Sequence, residues 1–349
     1  MSENTPGRTF LIVLGMHRSG TSALTGTLGI LGARLPDDLV GSHPFNEKGH
    51  FESKSLKWTN EEMLRAIGTA WYDLRGISPS CFETVIVAQS KAKMKETIQE
   101  QYGDASLLVL KDPRFCRSFP VIRSILDEYN ASPLVIFCFR NPIEVAHSLK
   151  ARDQIPLQHG IGLWLRYMLD GEFHSRGLQR VFVDFADFLR DWRITIKRIE
   201  QGLGISLPAS EITANEVEKF IDSSLCHHSA SIHELETCFG NRGHLVLSCY
   251  RTFAALLRNP DDMEAIRRLD LVRTEFEEAA SVFDEAFHEY YAKLELAKQQ
   301  TKQAEERLAK AEQQLQDIKL STSWQVTKPL RSVGMLMRRP SRSQAHPGE

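Results

Sequence analysis

The stretch FLIVLGMHRSGTSAL, Phe10 to Leu24, constrains this chain more than any other. Five apolar residues run into Gly15. Gly20 follows after four more residues, and then come the hydroxyl residues Thr21 and Ser22. A glycine-bounded turn between a strand and a helix aims backbone N–H groups at one point at the helix N-terminus, an anion site by geometry and by dipole. Ser19, Gly20, Thr21 and Ser22 supply those amides. Nucleotide triphosphatases place a lysine directly after the second glycine and use the next hydroxyl on magnesium. Here Thr21 stands where that lysine belongs, and Arg18 sits inside the loop. The loop is therefore ill suited to a magnesium triphosphate.

The same strand-then-helix pattern recurs. Apolar, β-rich runs appear at SLLVLKDPR (106–114), SPLVIFCFRNP (132–142) and QRVFVDFADFL (179–189). The runs at 10–15, 106–114 and 132–142 are continuous rather than alternating, as expected of parallel strands covered on both faces. After the first run, Leu24, Leu28 and Leu31 share one helical face; after the third, IEVAHSLKAR opens a helix just past Pro142. Strands alternating with helices predict an α/β fold: a P-loop-type parallel sheet flanked by helices. LVLSCYRTFAALL (245–257) reads as a buried helix.

A second constellation lies in CFRNPIEVAHSLKAR. Arg140 ends a strand, Asn141-Pro142 turns the chain, and Ser148 follows eight residues after the arginine, two helical turns along. Both side chains can face one phosphate.

Together the two stretches resemble the sulfotransferase family, its soluble bacterial members most closely, whose donor is 3′-phosphoadenosine 5′-phosphosulfate. In that family a segment of the type [KR]-S-G-T-[ST] holds the 5′-phosphosulfate, and R-x7-S holds the 3′-phosphate. Arg18-Ser19-Gly20-Thr21-Ser22 and Arg140 with Ser148 match them over a resemblance covering about residues 8–200. The resemblance implies sulfuryl transfer to a hydroxyl without a metal, a reaction of positioning and electrostatics like phosphoryl transfer. It implies Arg18 and Lys111 as the cations on the bridging oxygen. Residues 46–52 in HPFNEKGHFES resemble the N-x-x-G-x-[FWY]-E segment of bacterial members, which makes Glu52 the base. His50, His43, Glu47 and Asp112 remain rivals. The chain departs from animal cytosolic members: Pro113 stands where their K-x-H has histidine, and GNRGH (240–244) matches their R-K-G clamp poorly.

A formal net charge of -2 gives no electrostatic case for nucleic acid. The six cysteines are scattered without a Cys-x-x-Cys pair, as in a chain with reduced thiols. The first nine residues are polar, and no run approaches the ~20 apolar residues of a membrane helix. A cytoplasmic, non-spanning protein is expected. The expected acceptor is a sugar hydroxyl, with Trp58, Trp71, Tyr72 and Trp164 available to stack on a ring. Two other readings stay open. One is a P-loop nucleotide or small-molecule kinase with Asp112 on magnesium; the other is a non-catalytic coiled-coil scaffold.

From Asp261 to Leu320 there is neither proline nor glycine. Apolar and small residues recur at spacings of four and three from Phe276 through Leu308 and Leu315 to Ile318, the seam of a coiled coil. One helix over 262–320 would run roughly 90 Å, with its aromatic first half on the globular domain and the rest on another copy or another protein. STSWQVTKPLRSVG (321–334) resembles a tail of bacterial cell-surface polysaccharide glycosyltransferases, pointing to a polysaccharide-assembly partner. The expected organisation is an α/β domain over 8–260, a long helix or coiled coil over 261–320, and a basic, disordered tail over 321–349.

Overall fold

The computed structural model describes residues 8–41, 48–129, 131, 133–208, 210–221, 234, 237, 243–282 and 284–327. In order these form β1 (Thr9–Leu14), α1 (Thr21–Ile30), α2 (Lys54–Ala66), α3 (Val85–Tyr102), β2 (Leu107–Lys111), α4 (Phe115–Glu128), β3 (Leu134–Phe139), α5 (Pro142–Asp153), α6 (Leu157–His174), β4 (Arg180–Asp184), α7 (Phe185–Arg190), α8 (Trp192–Leu203) and α9 (Glu211–Phe220). β2, β3 and β4 begin inside their apolar runs, and β1 begins one residue before its own. They pair in parallel in the order β2-β1-β3-β4. The architecture is the expected α/β fold, a parallel sheet flanked by helices.

Side-chain alternation explains how each strand is buried on both faces. One face presents Leu11, Val13, Val109, Ile136 and Val181 to Leu24 and Leu28 of α1 and to Ile196 and Ile199 of α8. Leu24, Leu28 and Leu31 are all buried, as the helical spacing predicts. The other face carries Phe137, Phe139 and Phe182, whose rings lie 5.3 to 5.7 Å from Phe253. Phe253 comes from the helix His244–Leu256, the buried helix expected at 245–257.

The strand order fixes where a ligand can lie. The chain leaves β1 for β2 on one side and returns to β3 on the other. That reversal opens a crevice beyond the carboxyl ends of β1 and β3, the usual ligand site of open α/β sheets. Arg140 immediately follows β3. There Asn141 caps α5, its Oδ1 accepting from the Ile143 amide at 2.9 Å, and Pro142 occupies the first helical turn.

The chain divides into two compact units, Met1–Phe287 and His288–Glu349. Helix Met263–Ser281 falls in the first unit, capped by Asp262 and with Ala265, Leu269 and Val272 buried. Its Glu277 pairs with buried Arg166 of α6 at 2.5 Å, and Arg166 also lies over the Phe276 ring. Where the sequence suggests one helix over 262–320, the structure has two, the second being Asp284–Leu320. Along that second helix Leu308, Leu315 and Ile318 are 60%, 49% and 52% exposed. A short helix, Thr322–Val326, follows, and the tail from 328 lies outside the described residues. No helix among the described residues is long and apolar enough to cross a membrane.

Candidate active site

The loop between β1 and α1 depends on two glycines. Gly15 has φ +145, and a Cβ there would fall 2.2 Å from the carbonyl oxygen of Cys138 on β3. Gly20, the N-cap of α1, has φ +88, and its Cβ would sit 2.0 Å from the Phe185 ring. Arg18 and Phe51 take left-handed φ of 69° and 53° without being glycine. Such backbone costs of order 1 kcal/mol or more per residue and concentrates at functional sites. Both residues flank one cleft.

Two hydrogen-bonded groups meet across this loop. In the first, Arg18 Nε donates to Ser148 Oγ at 2.7 Å, and Arg140 donates to the Arg18 carbonyl at 3.3 Å. Arg140 also pairs with Glu144 at 2.6 Å and lies over the Phe185 ring, while the Trp164 indole donates to its carbonyl at 3.1 Å. In the second, the buried Lys111 ammonium donates to Glu52 Oε1 at 2.5 Å, to the His50 carbonyl at 3.0 Å and to Ser22 Oγ at 3.1 Å. Glu52 is fixed by its backbone: Val40 donates to its carbonyl at 2.8 Å, and the next residue, Ser53, caps α2. All nine residues singled out from the sequence therefore lie in or around one loop.

The rival bases separate on geometry. Asp112 accepts from Arg114 at 2.9 Å and Asn60 at 3.1 Å, and Arg114 also pairs with Glu61, so Asp112 serves a buried ion-pair network. That also occupies the carboxylate a kinase would turn to magnesium. His50 is pushed down to about 4 by burial and by Lys111, Arg152, Lys57 and Arg18, which makes its imidazole a weak base. His43 and Glu47 lie outside the described residues. Among the aromatic candidates, Trp164 and Tyr72 are buried in the core and cannot stack on a sugar. Trp71 stands beside the loop.

Two groups fit an anionic ligand with phosphates. The Ser19 hydroxyl is buried in the loop with no partner among the described residues. Arg18 is drawn down to about 10 by burial and by Arg152 and Arg140, so it stays charged at neutral pH in a field of like charges. Arg152 and His17 also lie beside this loop. Arg152 shares the Ser148 face of α5 by its i+4 spacing, a signal present in the sequence. Its guanidinium lies 5.8 Å from the Trp71 centroid, and Trp71 lies 4.9 Å from the His17 ring.

The His50 shift has a consequence for stability. Folded His50 stays neutral down to about pH 4, whereas the unfolded side chain takes a proton near its ordinary value of 6.5. Protonation in that window favours the unfolded chain, so this contribution to stability declines as pH falls from 6.5 toward 4. His50→Gln should lose less stability than the wild type between neutral pH and about pH 4.5, measured by urea unfolding. Equal losses would mean that His50 is solvated in the folded state.

No protein-family model matches the sequence, and no curated protein does. Solved structures do resemble it. The sulfotransferase domain of the Synechococcus PCC 7002 olefin synthase is 19% identical, with TM-score 0.38, over 66% of this chain and 86% of that one. Sulfotransferase STF1 from Mycobacterium tuberculosis H37Rv is 18% identical, with TM-score 0.42, over 70% and 76%. The sulfotransferase domain from the curacin biosynthetic pathway is 13% identical, with TM-score 0.38, over 70% and 98%. These three solved proteins, to which the chain is similar, are sulfotransferases.

Proposed function

We propose that this chain is a cytoplasmic sulfotransferase that moves a sulfuryl group from 3′-phosphoadenosine 5′-phosphosulfate to a hydroxyl of a carbohydrate or polysaccharide precursor. The observation that carries the reading is the 2.7 Å hydrogen bond from Arg18 to Ser148, which joins the glycine loop to the arginine–serine pair after β3. Two phosphate-binding elements more than a hundred residues apart in sequence thereby share one crevice. The buried Ser19 hydroxyl, without a partner among the described residues, supports the same reading. The four described cysteines are unpaired thiols, which suits a reducing compartment.

The donor supplies an activated sulfuryl group on a phosphate leaving group. In this reading Arg140, Ser148, Ser19 and the first amides of α1 hold phosphate oxygens. Arg18 and Lys111 offset the charge that grows on the oxygen of the breaking bond. Glu52 takes the acceptor proton as the new bond from acceptor oxygen to sulfur forms. Lys111 links the parts, since its ammonium touches both Glu52 and Ser22 at the start of α1. The acceptor is assigned to sugars from the resemblance of the C-terminal tail to polysaccharide enzymes.

The reading extends to assembly. The seam through Leu308, Leu315 and Ile318 is exposed along its helix. In a parallel pair of copies Arg307 on one helix falls opposite Glu312 on the other, a complementary charge pair beside the seam. A second copy is therefore the proposed occupant.

Each part has a test. Adenosine 3′,5′-bisphosphate should raise the melting temperature without magnesium. Arg140→Ala should weaken its binding roughly ten- to a hundred-fold by calorimetry, because a buried phosphate loses a charge-assisted partner. Unchanged affinity would remove Arg140 from the donor site. Glu52→Gln keeps the shape of the side chain but cannot take a proton. Turnover should drop by ~10²- to 10⁴-fold with bisphosphate binding kept, and near-normal turnover would pass the base role to another group. Leu308→Asp with Leu315→Asp should convert an oligomer to a monomer by light scattering, leaving bisphosphate binding intact. A wild type already monomeric at about 50 μM would reject self-association at that affinity.

A further inference from the structure

His17 presents a buried polar atom that nothing described here uses. The ring is 7% exposed, and its Nε2 has no hydrogen-bond partner among the described residues. It packs between Trp71, at 4.9 Å, and Tyr167, at 5.7 Å. A buried nitrogen without a partner costs about 1–3 kcal/mol unless a ligand satisfies it. Burial, with Arg114, Arg152, Lys111 and Lys57 nearby, holds His17 well below the ordinary histidine value. It is therefore a neutral imidazole, able to bond a hydroxyl and unable to bind an anion by charge.

The wall around His17 is preformed. The Tyr167 hydroxyl donates to the Trp71 carbonyl at 2.8 Å, His159 bonds the Tyr72 carbonyl at 2.8 Å, and Arg117 donates to the Asp73 carbonyl at 2.8 Å. Trp71 is thus pinned although it lies in neither phosphate motif. Arg152 lies 5.8 Å from the Trp71 ring, with its Nε on Asp153 at 2.6 Å. The cations beside His17 and His50 exceed what the donor reading uses. Arg114 and Lys111 are neutralised by Asp112, Glu61 and Glu52. Arg152 has one partner in Asp153, and Lys57 has no ion pair among the described residues.

We propose that His17, Trp71 and Arg152 form the acceptor subsite, and that it takes a sugar carrying a negatively charged group. This rests on the sulfotransferase reading and deepens it. His17 Nε2 bonds a sugar hydroxyl, Trp71 stacks beside it, and Arg152 holds the charge. A carboxylate and a phosphate ester share this chemistry, so the test carries both.

The full chain, saturated with adenosine 3′,5′-bisphosphate, is titrated with D-glucuronate, D-glucose 6-phosphate and D-glucose under ligand-observed NMR. Charged sugars should bind roughly tenfold or more tightly than glucose. If only one charged sugar does so, that one names the anion. Arg152→Gln should remove most of that preference while bisphosphate affinity stays within about twofold. His17→Phe keeps a ring between Trp71 and Tyr167 and removes the nitrogen; it should weaken all sugars that bind by about tenfold. Glucose binding as tightly as its charged counterparts overturns the inference, as does bisphosphate-loaded wild type that binds no charged sugar. A loss of bisphosphate affinity in Arg152→Gln, with sugar preference kept, moves Arg152 into the donor site and overturns it too. Failure of the wild type to bind bisphosphate at all is a separate result; it defeats the donor reading and this inference with it.

Discussion

The site depends on how closely β1 and β3 approach at their carboxyl ends. Parallel pairing from Leu11↔Leu134 to Leu14↔Phe137 brings Gly15 so near the Cys138 carbonyl that no side chain fits between them. Because Gly15 is bare, the loop that follows can lie against the end of β3. Two buried thiols then pin it: the Gly15 amide donates to Cys116 Sγ at 3.2 Å, and Cys138 Sγ donates to the Ser19 carbonyl at 3.0 Å. Burial pushes the Cys116 thiol up to about 12 and raises Cys138 as well, so both act as neutral hydrogen-bonding groups and not as nucleophiles. Arg18 and Arg140 come within reach of each other as a consequence of this backbone contact.

Much of that arrangement was legible in the sequence, for a physical reason. Short continuous apolar runs, each followed by a helical pattern, fit strands covered on both faces, and glycine spacing at a strand end reports a turn that needs bare backbone. Arg140 follows β3 directly and Ser148 lies nearly two turns into the helix that starts at Pro142, so a strand end, a proline turn and a helix of known pitch place both near the same end of the sheet. The Lys111–Glu52 contact was less accessible. Both residues were named for the same site, yet their pairing depends on the Val40 amide holding the Glu52 carbonyl at 2.8 Å, a tertiary placement that local pattern does not encode. The aromatic residues show the same limit. Trp71 and Trp164 are alike in sequence character, but one is half-buried beside the His17 ring and the other is wholly buried, its indole donating to the Arg140 carbonyl.

The C-terminal helices mark another boundary of sequence reasoning. Nothing between Ser281 and Asp284 breaks a helix by propensity, since neither glycine nor proline occurs there. The heptad pattern runs through unbroken. Helix Met263–Ser281 is instead claimed by packing: Ala265, Leu269 and Val272 are buried, and Glu277 reaches Arg166. Burial on the first unit selects one orientation for that segment, and a periodic pattern carries no information about where such selection ends.

Charge explains why the cation inside this loop is an arginine and not a lysine. Burial, with Arg152 and Arg140 nearby, draws Arg18 down to about 10. Lysine, a compact and strongly hydrated charge that begins two units lower, sheds its proton more readily when buried. Arginine keeps its proton under the same load and presents several donors in a plane. Its Nε is committed to Ser148. The same load falls on His17 and His50, which respond by staying neutral. The cleft thus separates its groups into permanent cations that hold charge and neutral imidazoles that do not compete for it. On the proposed donor reading, an anion beside Arg18 would relieve the repulsion that Arg152 and Arg140 impose on it, so binding and folding stability would draw on the same electrostatic energy.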